Sequence, residues 1–321
     1  MANNLYIYAV TRAHVRELSM LTSTTLEQML AAPDYDAALA ILAEKGWETE
    51  LHEPGAILMA EENKTWDFIS EMVEDMSPFN VFLVANDYHN LKAAIKKTIT
   101  GSEVEPVYLP RGTVPLAQLR HAAETADFSD LPPEMRVAGE AAFDALRTSG
   151  DGQLCDIRLD VAALAATYQA GKASGSDILA RYGELTVAVA DIKTAARCAK
   201  LGKPRSFVRE ALVECETLSA DRLALAAGEG PEALYTYLAN TDYAEAVPAL
   251  RKSAAAFECW CDNLMMDSIR SQKTVNSGIG PLAAYLLARE CEIKSVRMIL
   301  SGQLNRLPAA AVRGRLRGMY V

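Results

Sequence analysis

The stretch Asn86-Asp87-Tyr88-His89-Asn90-Leu91-Lys92-Ala93-Ala94-Ile95-Lys96 returns twice in this chain. Its echoes are Val189-Ala190-Asp191-Ile192-Lys193-Thr194-Ala195-Ala196-Arg197 and Cys291-Glu292-Ile293-Lys294-Ser295-Val296-Arg297. Lys92, Lys193 and Lys294 lie 101 residues apart each time, with a polar or acidic residue two before each: Asn90, Asp191 and Glu292. A glycine follows at eight or nine residues (Gly101, Gly202, Gly302) and reads as a common stop. Two equal spacings in 321 residues argue for internal triplication, which dictates architecture before any local detail does.

Working outward, each copy lies in a long apolar-periodic segment that reads as a helix. Pro78 suits the first turn of one ending near Gly101. Ser176 is a natural cap for a second, ending near Leu201. Pro281 opens the third. Pro106, Pro110 and Pro115 form a stretch that can be neither helix nor inner strand, and Gly202-Lys203-Pro204 makes a second break. The boundaries are therefore set at 1–110, 111–205 and 206–321, the last with a basic C-terminal segment. Upstream, Thr24 or Thr25 reads as the cap of one helix, Pro54-Gly55 as a turn, and 63–76 as a helix. Residues 248–271 read as one long helix and 309–319 as a short basic one. A second trace of duplication is Leu218-Ser219-Ala220-Asp221-Arg222-Leu223 against Leu21-Thr22-Ser23-Thr24-Thr25-Leu26. No period-2 alternation lasts long enough for a strand, so the fold class is all-α with three similar helical bundles.

Composition narrows the function. Half the residues are apolar, with few aromatics, which favours a helical core. A net charge of −10 argues against nucleic-acid binding, which needs a positive surface. Charge is uneven: from Arg289 onward seven basic residues oppose only Glu290 and Glu292, which suggests a local interaction surface or a solvated helix end. The six cysteines lack the Cys-x-x-Cys spacing of zinc or redox sites and read as buried thiols in a reducing compartment. No leader pattern opens the chain and no run of 18 apolar residues occurs, so a soluble chain is expected.

Chemistry finds few candidates. The four histidines are dispersed, none paired at metal spacing. His89, beside Asp87 and Asn90, is the best acid–base candidate, but its counterparts are Ala190 and Cys291. Gly171-Lys172 and Gly202-Lys203 lack the earlier glycine of a phosphate loop, so no nucleotide and no cofactor is expected. The recurring polar residue and lysine (Asn90, Lys92; Asp191, Lys193; Glu292, Lys294) are the candidate site. They serve either as salt bridges fixing each marker helix to its own repeat or as a ring of cations facing a partner.

These residues also resemble a known family. Tyr6-Ile7-Tyr8-Ala9 with Arg12 and Arg16, the Asn86–Lys92 marker, Gly112-Thr113-Val114, Asp127–Pro132, and Glu292-Ile293-Lys294 with Arg297 and Gly302 occur in a telling order and spacing. It is that of the C-type subunit of V/A-type (archaeal/vacuolar-type) ATP synthases, related to the d-type subunit of eukaryotic vacuolar ATPases. Two departures are Ala188 and Asp191, where relatives often carry an acid and then Asn. The resemblance implies a funnel of three domains about a pseudo-threefold axis. It implies a non-catalytic rotor adaptor of the central stalk, cytoplasmic and peripheral to the membrane. Its partners would be the central shaft subunits (D and F type), held in a socket, and the membrane rotor ring on the other face. The competing expectations are a helical-repeat scaffold unrelated to rotation and a hydrolase using His89 and Asp87.

Overall fold

The computed structural model describes residues 6–321, which among themselves form helices and loops but no strand. Helix α1 (Ile7–Glu17) leads to α2 (Ser23–Ala31). The cap of α2 is Thr22, ahead of the two threonines that its sequence suggests; its hydroxyl accepts from the Thr25 N–H. Asp34 caps α3 (Tyr35–Glu44), and Gly46 follows in the left-handed region. Helix α4 (Pro54–Met72) begins well before the helix expected over 63–76, because Pro54-Gly55 opens a helix rather than a turn. The Glu53 carboxylate receives the Gly55 and Ala56 N–H groups, and a proline in the first helical position loses no needed bond.

The first marker lies on α5 (Asn80–Thr100), preceded by a short 3-10 turn and stopped by Gly101 in the left-handed conformation. After the proline-rich segment come α6 (Leu116–Thr125), α7 (Pro133–Ser149) and α8 (Gly152–Ala173), the last capped by Asp151. The second marker lies on α9 (Asp177–Lys200). Helices α10 (Arg205–Glu210), α11 (Ala220–Glu229) and α12 (Pro231–Leu238) are short. The long helix read over 248–271 is two: α13 (Ala246–Lys252) and α14 (Ala254–Ile269). Ser253 interrupts it with extended backbone and caps α14 through the Ala256 N–H. The third marker lies on α15 (Gly280–Leu304), and α16 (Ala309–Arg313) covers only the start of the basic segment. Gly302 is not a stop. It sits inside α15, where a Cβ would lie 2.6 Å from Val312 Cγ2, so it lets α16 pack close.

The chain forms two compact units, one built from its two ends (to Met76 and from Pro248) and one from Ser77–Val247. In the end-built unit, Leu21, Leu26, Met29, Leu42 and Ile57 pack against Val296, Ile299 and Leu300 of the marker helix. In the other, Tyr88, Leu91 and Ile95 of α5 pack against Leu119, Phe128 and Leu159. Each fully buried aliphatic side chain contributes roughly 1.5–3 kcal/mol. Both cores are therefore organised on a marker helix.

Candidate functional site

In the 77–247 unit, α5 grips the proline-rich segment that follows it. Asn90 is buried, donates through Nδ2 to the Leu109 carbonyl (2.9 Å) and accepts the Leu109 N–H (2.7 Å). One turn away, the fully buried Asp87 accepts both the N–H (2.8 Å) and the hydroxyl (2.6 Å) of Thr113. Asn86 adds bonds to the Pro110 and Arg111 carbonyls. This segment cannot pair its own backbone, since prolines interrupt it, so side chains of α5 supply the partners. The approach is close enough that a Cβ on Gly112 would stand 1.8 Å from Asp87 Oδ1.

The second marker repeats the arrangement. Asp191, buried, accepts the Val213 N–H at 3.1 Å. Four residues on, Thr217 gives its N–H (2.8 Å) and its hydroxyl (2.5 Å) to Glu184. The pairs Leu109 with Thr113 and Val213 with Thr217 thus have the same four-residue spacing. In the first marker the second clasping side chain, the acid Asp87, stands five residues before the lysine; in the second that place holds Ala188. Glu184, one helical turn earlier and one methylene longer, takes over the task. Burial pushes the Glu184 carboxyl up, but the Thr217 and Glu216 donors outweigh it and hold it below the ordinary glutamate range. Asp191 has one N–H between its two oxygens and no ion pair among the described residues; burial pushes it up to about 8, against the Val213 N–H and the more distant Arg209 that pull it down.

The end-built unit uses a third solution. Glu292 is fully buried and accepts the Leu21 N–H at 2.6 Å, holding the segment that opens α2. Its other oxygen pairs with Arg289, which also reaches Glu61 at 2.6 Å and Thr65 at 3.4 Å. The Arg289 guanidinium lies 5.4 Å from the Trp47 ring centroid, and Lys64 closes the network between Glu61 (2.8 Å) and Glu48 (3.0 Å). Burial works to lower the arginine's pKa, but the surrounding carboxylates more than offset it, so it stays charged. Burial pushes Glu292 up while Arg289 and the Leu21 N–H pull it back.

The three lysines stand at the exposed or half-exposed edge of these helices. Lys92 pairs with Asp160 of α8 at 2.6 Å, across the boundary drawn at 110, while Lys294 pairs with Asp262 of α14 at 3.1 Å. Lys193 is exposed on α9. Asp87 and His89 turn to different partners: the acid is committed to Thr113, and His89 Nε2 lies 3.3 Å from the Val107 carbonyl. Of the seven basic residues after position 288, Arg289, Lys294, Arg313 and Arg317 are paired with carboxylates within the end-built unit, so most of the local excess is neutralised there. Sequence reading missed Asp87, Glu184, Arg289 and Glu61 as holding groups; the shared Thr113 and Thr217 spacing was the signal that could have found the first two.

The molecule is thus an all-helical protein with polar side chains of its long marker helices clasping neighbouring segments. The model of the ATP synthase (C/AC39) subunit family matches residues 9–315, and the chain belongs to that family. It is 23% identical over 315 residues to the C-type subunit of the V-type sodium ATPase of Enterococcus hirae, covering 95% of this chain and 96% of that protein. It is 22% identical over 349 residues to the C-type subunit of the A-type ATP synthase of Methanocaldococcus jannaschii, covering 97% of this chain and 86% of that one. No helix of the described residues is long and apolar enough to cross a membrane.

Proposed function

We propose that this chain is the non-catalytic central-stalk adaptor of a V/A-type rotary ATPase or ATP synthase, joining the rotor shaft to the membrane rotor ring during proton or sodium transport. The observation that carries this reading is the family match along nearly the whole chain. Mechanically, an adaptor passing torque must not yield between its two interfaces. Long helices such as α9 (24 residues) and α15 (25 residues) provide stiffness along their axes. Between helices, stiffness comes from the clasps: buried hydrogen bonds tie loops to marker helices at Asn90, Asp191 and Glu292.

Three repeats about a pseudo-threefold axis, with the shaft in a socket and the ring on the opposite face, in the cytoplasm, are the arrangement we propose. Its support is the 101-residue period together with the common role of the three polar positions, each of which accepts a backbone N–H. The test is reconstitution from separately purified shaft subunits, this chain and detergent-solubilised rotor ring. A shaft–ring complex that forms only when this chain is added is the outcome expected. Should shaft and ring associate equally well without it, or the chain join neither, the adaptor reading falls.

A further inference from the structure

Helix α1 carries apolar side chains on its outward face as well as on its inward one. Ala9, Val10, Ala13 and Glu17 face inward and are buried. On the opposite side Ile7, Tyr8, Val15 and Leu18 are 43%, 70%, 63% and 87% exposed, with Thr11 among them. At 100° per residue these five positions fall within an arc of about 100°, the width of a packing stripe. Scattered exposed apolar residues need no explanation, whereas a contiguous stripe of large ones marks a contact surface. One flank of the stripe carries Arg12 and Arg16. Both are held against the Phe68 ring, at 5.5 and 4.1 Å from guanidinium carbon to centroid, and neither is paired with a carboxylate among the described residues. At the C-terminal end of α1 a recess of about 170 Å³ opens, lined by Arg16, Ser19, Lys45, Trp47, Lys64 and Arg289. Lys64 and Arg289 are neutralised by Glu48, Glu61 and Glu292, so Arg16 and Lys45 leave the recess net positive.

We infer that this face of α1 and the adjoining recess dock an amphipathic helix of a partner, one whose apolar stripe is flanked by acidic side chains. The spacing Ile7, Thr11, Val15, Leu18 offers ridges at three and four residues, the pattern into which another helix packs. The arginines, pre-positioned on an aromatic ring and lacking anionic partners, fit carboxylates on the partner's flank. The recess takes one further carboxylate beyond the end of α1. Resting on the adaptor reading, the inference assigns this helix to the shaft.

The experiment uses the full chain and separately purified shaft subunits, with binding measured by calorimetry. In the variant Val15→Glu/Leu18→Glu both substitutions point into solvent, so circular dichroism and melting should match the wild type while binding weakens at least about tenfold. Arg12→Gln/Arg16→Gln should also weaken it and should flatten its decline between about 0.05 and 0.5 M salt. If wild type and the glutamate variant bind the shaft alike, the surface assignment is overturned and the adaptor reading stands. If the wild type does not bind the shaft, both fall. If instead the wild type sediments as a dimer and the variant as a monomer, the stripe covers a second copy. If only the wild type binds phosphatidylglycerol vesicles, it meets lipid. Either of those last results overturns the inference.

Discussion

The Asp191 clasp and the Glu292 clasp do the same task, one without a bonded cation and one with. Each is a carboxylate buried two residues before a repeated lysine, and each holds one backbone N–H of a neighbouring segment. Glu292 sits among charged groups: Arg289 and Glu61 lie within the same hydrogen-bonded network, and Lys64 closes it at the rim, so burial raises the Glu292 carboxyl while Arg289 pulls it back. Asp191 has no cation hydrogen-bonded to it among the described residues; burial pushes it up to about 8 against the weaker downward pull of the Val213 N–H and the more distant Arg209. Asn90, at the equivalent place in the first marker, does the work with an amide that never ionises. What recurs every 101 residues is therefore an acceptor at a fixed helical position. The charge attached to it is free to vary so long as the surroundings compensate it.

The sharpest break in that comparison is to strand the charged clasp. Arg289→Met removes the common partner of Glu61 and Glu292, leaving Glu61 only Lys64 and Glu292 no cation in the buried network. Breaking a buried pair from one side costs about 3–5 kcal/mol. Chemical denaturation should show a loss of that size, with the core helices of the end-built unit losing amide-exchange protection first. A loss below about 1 kcal/mol would mean that the network carries no net stability.

The first marker is next. Gly112→Ala places a methyl against the Asp87 carboxylate, whose partners, the N–H and hydroxyl of Thr113, belong to the very next residue. Displacing Asp87 breaks its bonds to Thr113, for a loss of roughly 1–3 kcal/mol. Amide exchange should report it as selective loss of protection at Thr113 and Val114. Unchanged protection there would show that the segment adjusts without the clasp.

Asp191→Asn converts the second clasp into the first, and the sign depends on pH. The folded pKa of Asp191 is raised, so its stabilising share is complete below the ordinary aspartate range near about 4 and is lost as pH rises toward about 8. Asparagine retains an acceptor for the Val213 N–H without that loss. The variant should match or trail the wild type at about pH 4 and exceed it by more than about 1 kcal/mol at about pH 8. A difference that stays constant across this range would show that Asp191 does not titrate within it.

How much of this was legible follows from the range over which each cause acts. The marker helices were readable because their apolar period, their prolines and their stops at Gly101 and Gly202 are local signals. Pro54-Gly55 was misread because the dipeptide suits both a turn and a helix start, and the carboxylate of Glu53 decides between them. Gly302 looked like a third stop, yet its cause is a neighbour farther along the chain, Val312, which no period reveals. Ser253 divided a pattern that read as continuous, because a capping hydroxyl outweighed apolar spacing. The positions of Asn90, Asp191 and Glu292 were marked by repetition, but their task was not. A side chain that accepts from Leu21, 271 residues away, leaves no trace in local sequence. Asp87 was set beside His89 as a chemical pair, although two residues along a helix turn side chains to different faces.

The smallest effect concerns the lysines, which set the period and would be the first choice for mutation. Lys92 meets Asp160 with that carboxylate 60% exposed, and Lys294 is itself 57% exposed opposite Asp262. Such pairs contribute about 0–1 kcal/mol, because water screens the attraction and ordering two long side chains costs entropy. Lys92→Ala and Lys294→Ala should each shift stability by less than about 0.5 kcal/mol, less again at about 0.5 M salt. The acceptor two residues earlier on the same helix should matter several times more: Asn90→Ala leaves the Leu109 N–H and carbonyl without partners and should cost about 1–3 kcal/mol. If the lysine substitutions prove the more damaging, the clasp is not what ties these segments down, and the period is kept by its cations instead.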